Sequence, residues 1–238
     1  MSSNPIKCLN WNVEWRTPRS AGGKWIAQKI GELDPDVSCL TEITEALIPE
    51  GEVLRSDLDY GYENKGDRRK VILWSREPWT EIDLVGDPEL PCGRFVSGVT
   101  MGIRFIGVCI PWQSAHVSTG RKDRQSWEDH LIYCRHLTGI IEKYRKDSFP
   151  VCVLGDYNQR IPRVKQPVEV VEALAAYFPS DFSICTAGIN DLEEKPLIDH
   201  CAVSSGLSAQ VKEILPKETL DGDKVSDHAG VVQELDFE

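Results

Sequence analysis

Short apolar runs recur along the chain at Ile6 to Leu9, Val37 to Leu40, Val71 to Trp74, Phe95 to Met101, Ile103 to Ile110, Val151 to Leu154, Leu197 to Val203 and Gly230 to Val232. Each has the length of a strand and is closed by polar or turn residues, the pattern of strands buried in a sheet. Between them lie stretches with apolar residues at helical spacing. Residues 23–33 set Ile26, Ile30 and Leu33 on one face before Asp34-Pro35 stops the helix. Residues 122–145 align Trp127, Leu131, Cys134, Ile141 and Tyr144, and residues 167–178 run from Pro167 in a first-turn position to just before Pro179. The mixture predicts an α/β protein. Hairpin signals such as Met101-Gly102 favour sheets that are partly antiparallel over one doubly wound parallel sheet.

Composition narrows the function classes. With 27 basic and 38 acidic side chains the net charge is −11, which excludes a basic protein that wraps nucleic acid, so a phosphate-rich partner would have to be bound locally. A content of 41% hydrophobic and 27% charged residues is that of an ordinary globular chain, and no repeat or low-complexity linker divides it. No stretch approaches the roughly 20 apolar residues of a membrane span. The opening Met1-Ser2-Ser3-Asn4-Pro5-Ile6-Lys7 lacks a basic and then apolar leader, so the expected location is cytoplasmic.

The 8 cysteines come no closer than the 16 positions between Cys185 and Cys201, which excludes CxxC zinc knuckles and thioredoxin motifs. Most sit inside apolar runs, as Cys8, Cys109 and Cys152 do, where a reduced thiol serves as a small hydrophobe.

Carboxylates and amides stand at the ends of the predicted strands, where a rigid element holds a side chain at the surface. In chain order they are Leu9-Asn10-Trp11-Asn12-Val13-Glu14, the strand ending Thr41-Glu42, Gly155-Asp156-Tyr157-Asn158, Ile198-Asp199-His200 and Ser226-Asp227-His228. Each alone is a weak signal. Taken singly, Asn12 and Asn158 could be turn residues, Asp199 and Asp227 helix caps and His228 a surface histidine. Together and in this order the motifs resemble the endonuclease/exonuclease/phosphatase superfamily, which includes deoxyribonuclease I-like nucleases and apurinic endonucleases, across nearly the whole chain.

That resemblance implies a four-layer α/β/β/α sandwich of two mostly antiparallel sheets flanked by helices, formed by residues 1–238 as a single domain. It implies hydrolysis of a phosphoester by in-line attack of water, with Mg²⁺ or Mn²⁺ as cofactor. By correspondence Glu42 is the first metal ligand, with Asp227 and Glu14 completing the site directly or through water. Hard carboxylate oxygens suit such an ion independently of the resemblance. The resemblance further implies that Asp156 orients or deprotonates the attacking water and that Asn158 holds that water or the phosphate. Asn12 fixes Asp156 or the phosphate, and His228 contacts the phosphate or exchanges protons, with Asp199 bonded to its other ring nitrogen. His200 alternates with Asp199 along the strand and should face the other way.

The chain departs from the family pattern at Cys109, which stands where many members place a histidine or tyrosine; His116 in the following loop is either a substitute for it or a loop histidine with no role. Basic residues cluster after the site-bearing strands: Arg16, Arg19 and Lys24; Arg121, Lys122 and Arg124; Arg160, Arg163 and Lys165. Arg160, Arg124, His116 and Trp112 are the candidates for substrate binding, and Trp112, Trp15 and Tyr157 for stacking on a base or sugar. Arg68-Arg69-Lys70 reads as a solvated turn before a strand. The expected protein is a monomeric phosphodiesterase or nuclease acting on DNA or RNA. The alternatives are a phosphatase or phosphodiesterase of a small phosphorylated metabolite or lipid headgroup, and a catalytically inactive interaction module.

Overall fold

The computed structural model describes residues 4–63 and 66–238; Met1-Ser2-Ser3 of the N-terminal reading lie outside the described residues. One sheet has the strand order Leu207–Leu215 (β11), Gly230–Phe237 (β12), Ile6–Asn12 (β1), Val37–Thr44 (β2), Arg68–Ser75 (β4) and Glu52–Arg55 (β3). The other runs Thr80–Asp83 (β5), Phe95–Thr100 (β6), Ile103–Cys109 (β7), Val151–Asp156 (β8), Asp199–Val203 (β10) and Ser183–Ile184 (β9). Each sheet is antiparallel except for one central parallel pair, β1 with β2 and β7 with β8.

The sheets meet face to face over a core that includes Cys8, Cys39, Val71, Leu73, Phe105, Cys152 and Leu154. Helix α1 (Ala21–Leu33) covers the first sheet by packing Ile26 and Ile30 on Leu9, Trp11 and Val13. On the second sheet lie α2 (Glu128–Tyr144) and α3 (Val168–Tyr177), with Tyr133, Leu137 and Ile141 of α2 and Leu174 of α3 against Ile106, Val108 and Val153. The result is the expected α/β/β/α sandwich. Burial of these aliphatic and aromatic side chains, at about 1.5–3 kcal/mol each, is the main force holding the layers together.

Every apolar run contains a strand, with Met101, Ile110, Leu197 and Ile198 falling just outside β6, β7 and β10. Helix α2, however, begins at Glu128 and not near residue 122, because Trp127 adopts a left-handed conformation (φ 69°) that no helix interior tolerates. Residues 68–70 are also not a solvated turn: they open β4, and Lys70 is buried. No helix among the described residues is long and apolar enough to cross a membrane.

The topology brings the C-terminal ends of β1, β2 and β8 and the start of β10 to one end of the sandwich. Parallel pairing sets Asn12 beside Thr41, and antiparallel pairing sets Asp199 opposite Asp156. Asn10 ties the two sheets together at this level, its amide donating to Gly155 O (3.2 Å) and His200 O (3.0 Å). Gly155 is required where it stands, because its φ is 146° and a Cβ there would lie 1.9 Å from Val108 O.

Candidate active site

Asp156 is 2% exposed and sits at the end of β8 between two asparagines. Its Oδ2 accepts from Asn12 Nδ2 (3.1 Å) and Asn158 Nδ2 (2.9 Å), and its Oδ1 from the Asn158 backbone N–H (2.9 Å). Asn158 makes this possible by turning left-handed (φ 52°), and its amide also donates to Ile110 O at 2.9 Å. Burial raises the Asp156 carboxyl; the Asp199 and Glu42 charges add to this and His228 opposes it, leaving the pKa at about 7.

Asp199 opens β10 directly opposite Asp156. Its Oδ2 lies 2.5 Å from His228 Nδ1, the partnership implied by the resemblance, while its buried Oδ1 has no hydrogen-bond partner. Burial works against a charged His228 ring, but the Asp199 and Asp156 carboxylates outweigh it and hold the imidazolium up to about 10. Burial raises the Asp199 carboxyl against the pull of His228. One ligating atom from each of Asp156, Asp199 and His228 falls within a group spanning 4.8 Å. The His228 loop is anchored by the Ser226 hydroxyl, which donates to Asn12 O (2.6 Å) and accepts the His228 backbone N–H (3.1 Å).

Glu42 lies outside that tight group but within its field. It has a left-handed backbone (φ 50°) inside β2, and its Oε1 accepts from Lys70 Nζ at 2.5 Å. Burial pushes the carboxyl up, but Lys70, His228 and Arg94 pull it further down, so it stays below the usual carboxylate range. Arg94 is buried beneath, its Nη1 donating to Cys109 O (3.2 Å). Cys109 itself ends β7 beside Asp156, and burial pushes its thiol up to about 12, so it is a neutral, inert wall.

Beside Asn158 opens a cleft of about 400 Å³ whose lining includes Trp112, Gln113, Trp127, Arg160 and Lys165. Its size is that of an ordinary small-ligand site.

A family model described as the Endonuclease/Exonuclease/phosphatase family matches residues 9–228, from the start of the Trp-Asn motif to His228. The chain belongs to this family. The fold agrees with solved structures at low identity. The 3′ phosphatase from Neisseria bound to product DNA hairpin has a TM-score of 0.69 at 17% identity, covering 98% of this chain and 100% of that one. An AP endonuclease from Archaeoglobus fulgidus has 0.67 at 16%, covering 96% and 98%. The human Nocturnin catalytic domain with bound sulfate anion has 0.67 at 14%, covering 98% and 94%. No curated protein sequence matches.

Against the family pattern, Asn12, Glu42, Asp156, Asn158, Asp199 and His228 converge at one end of the sandwich. Asp227 stands exposed at the mouth, its Oδ1 3.8 Å from His228 Nε2. Glu14 is held by Arg16 (2.8 Å) and Lys224 (2.5 Å). Arg124 is committed to Asp129 (2.6 Å) and flanked by Asp123 and Glu128. His116 is 3% exposed, stacks on Tyr62 at 4.3 Å and takes the Arg121 backbone N–H on Nδ1. Trp112 and Arg160 both line the cleft, whereas Tyr157 is buried against Phe178. His200 points away from the site: Thr186 Oγ1 is 2.9 Å from its Nδ1, and its Nε2 is 2.9 Å from Gln159 O.

Asn10 and Arg94 are not among the site candidates of the sequence, and Lys70 appears there only as part of a solvated turn. For Asn10 a signal exists, since residues two apart on a strand share a face and Asn12 is a candidate. Lys70 and Arg94 could be placed only with the strand register in hand.

Proposed function

We propose that this family hydrolase is a divalent-metal-dependent phosphodiesterase that cleaves nucleic acid, with Asp156 positioning and deprotonating the attacking water. The observation that carries this reading is the environment of Asp156: a buried carboxyl at about 7, aimed by Asn12 and Asn158, beside a charged His228. A general base works best when its pKa lies near the working pH. Asp156 takes the proton from water, Asn12 and Asn158 hold its oxygens, and Asp199 keeps His228 charged to bind a phosphoryl oxygen.

The donor set fits Mg²⁺ or Mn²⁺. Glu42 Oε2 has no hydrogen-bond partner among the described residues and its carboxyl stays ionised, and Asp199 Oδ1 is an orphaned buried oxygen. We assign Glu42 as the principal ligand with Asp227 at the mouth; an ion bound there supplies Lewis-acid neutralisation of the phosphoryl oxygens and leaving group. Trp112 offers an apolar face and Arg160 and Lys165 offer charge to the portion of substrate beyond the scissile phosphate. A small phosphorylated metabolite remains the second reading, favoured by the net charge of −11, which weakens non-specific grip on a duplex.

The test is hydrolysis of bis-p-nitrophenyl phosphate, DNA, RNA, 3′-phosphorylated oligonucleotides and small phosphomonoesters with Mg²⁺ or Mn²⁺. Activity should vanish with EDTA and fall about 10³-fold in Asp156→Asn. Wild-type inactivity across the panel overturns the enzymatic reading, and activity on small monoesters alone favours the second.

A further inference from the structure

At the floor of the site, Lys70 is 9% exposed, and Glu42 Oε1 is the only hydrogen-bond acceptor its ammonium has among the described residues. An ammonium has three donors, so two remain without an oxygen. Aromatic faces take their place: Nζ lies 5.0 Å from the Trp15 ring centroid and 5.6 Å from that of Tyr60, and those two rings stack at 5.7 Å. Trp15 is itself fastened to Glu42, its backbone N–H donating to Glu42 O at 2.6 Å. The lysine is therefore held in place by rings and strand register, with donor capacity unused.

A purely structural ion pair gains little from such a position, because desolving two charges offsets most of their attraction. The surrounding charges suggest another role. Lys70, Arg94 and His228 are the cations acting on Glu42, and they stand against the carboxylates of Glu42, Asp156 and Asp199. The site is close to charge-balanced by its own side chains. A divalent ion arriving at Glu42 competes with the ammonium for the carboxylate and leaves an excess of positive charge, which suits an incoming phosphate.

We propose that Lys70 is a phosphate-binding residue of this site that doubles as a competitor for the metal: its ammonium rests on Glu42 and passes to a non-bridging phosphate oxygen when a divalent ion takes the carboxylate. The proposal rests on the phosphodiesterase reading and goes beyond it in assigning a residue outside the motifs.

The experiment titrates Mn²⁺ alone into the full chain by calorimetry, for wild type, Lys70→Met, Lys70→Gln and Lys70→Arg, with circular dichroism as the check on folding. Steady-state kinetics on the best phosphodiester substrate follow. Both neutral variants should bind Mn²⁺ at least about ten-fold more tightly, since the carboxylate loses its competing charge. Their KM should rise about ten-fold with a smaller change in kcat, and Lys70→Arg should restore KM at least in part. Unchanged Mn²⁺ affinity in both folded neutral variants overturns the proposal. A wild type that binds Mn²⁺ with the expected Lys70 effect yet hydrolyses nothing overturns the phosphodiesterase reading instead, and with it the phosphate half of this proposal.

Discussion

His228 Nδ1 and Asp199 Oδ2 lie 2.5 Å apart, joining the loop before β12 to the first residue of β10. This contact, with Asp156 nearby, carries the ring from an ordinary 6.5 to about 10. A raised folded-state pKa means that the stabilisation is fully present below pH 6.5 and is lost as pH rises through about 10. Asp199→Asn should return His228 toward the ordinary value. Imidazole NMR resonances should then titrate several pH units lower than in wild type. Activity at pH 8 should fall about 10²-fold, with the loss smaller near pH 6 where the ring is charged in both proteins.

Asp156 gives the opposite limb. Burial lifts its carboxyl from 3.8 to about 7, so the base form is depleted as pH falls below neutrality. The rate profile of kcat/KM should drop on the acid side, and raising Mg²⁺ or Mn²⁺ should move that limb to lower pH, because added positive charge favours the carboxylate. Asp156→Asn should lower kcat by about 10³-fold and remove the limb. A limb that stays in place across metal concentrations would separate Asp156 from the ion.

Much of this arrangement is legible in the sequence. Apolar runs mark strands because each such run is buried on a sheet face, and the motif order carried the family. β5 was not visible, since Thr80–Asp83 is almost wholly solvated and pairs only at an edge, and β11 alternates weakly for the same reason. In the site, side chains at strand ends could be read because their own motifs announce them. Lys70 could not: Arg68-Arg69-Lys70 reads as solvated charge, and only the pairing of Arg69 with Ile43 and Val71 with Thr41 sets Lys70 across from Glu42. Arg124 and His116 show the reverse side of this. Sequence places them near the mouth, but it does not reveal that buried Asp129 and half-buried Tyr62 hold them.

Gly155 is the position where fold and chemistry are least separable. A φ of 146° excludes an L side chain, and a Cβ would press on Val108 O within the parallel pairing of β7 and β8. Gly155→Ala should destabilise the protein by about 3 kcal/mol or more, read as a shifted urea midpoint with unchanged slope. Because Asp156 is the next residue, the folded fraction should also lose activity out of proportion to the stability change. Normal specific activity per folded molecule would mean that the base is positioned by Asn12 and Asn158 alone.

The cleft beside Asn158 divides substrates by what lies beyond the scissile phosphate. Trp112 is 46% exposed there, and neither the Arg160 guanidinium nor the Lys165 ammonium has an acceptor or carboxylate partner among the described residues. Most other arginines, such as Arg16, Arg104 and Arg145, are already paired. An unpaired cation beside an aromatic face is suited to a nucleotide flank and has little to offer a minimal diester. Trp112→Ala and Arg160→Gln should therefore raise KM about ten-fold for a dinucleotide or oligonucleotide, in line with about 1–3 kcal/mol for a base stacked on an aromatic ring. Hydrolysis of bis-p-nitrophenyl phosphate should change less than two-fold. Equal losses on both substrates would place these side chains in the support of the reacting centre and not in the recognition of the flank.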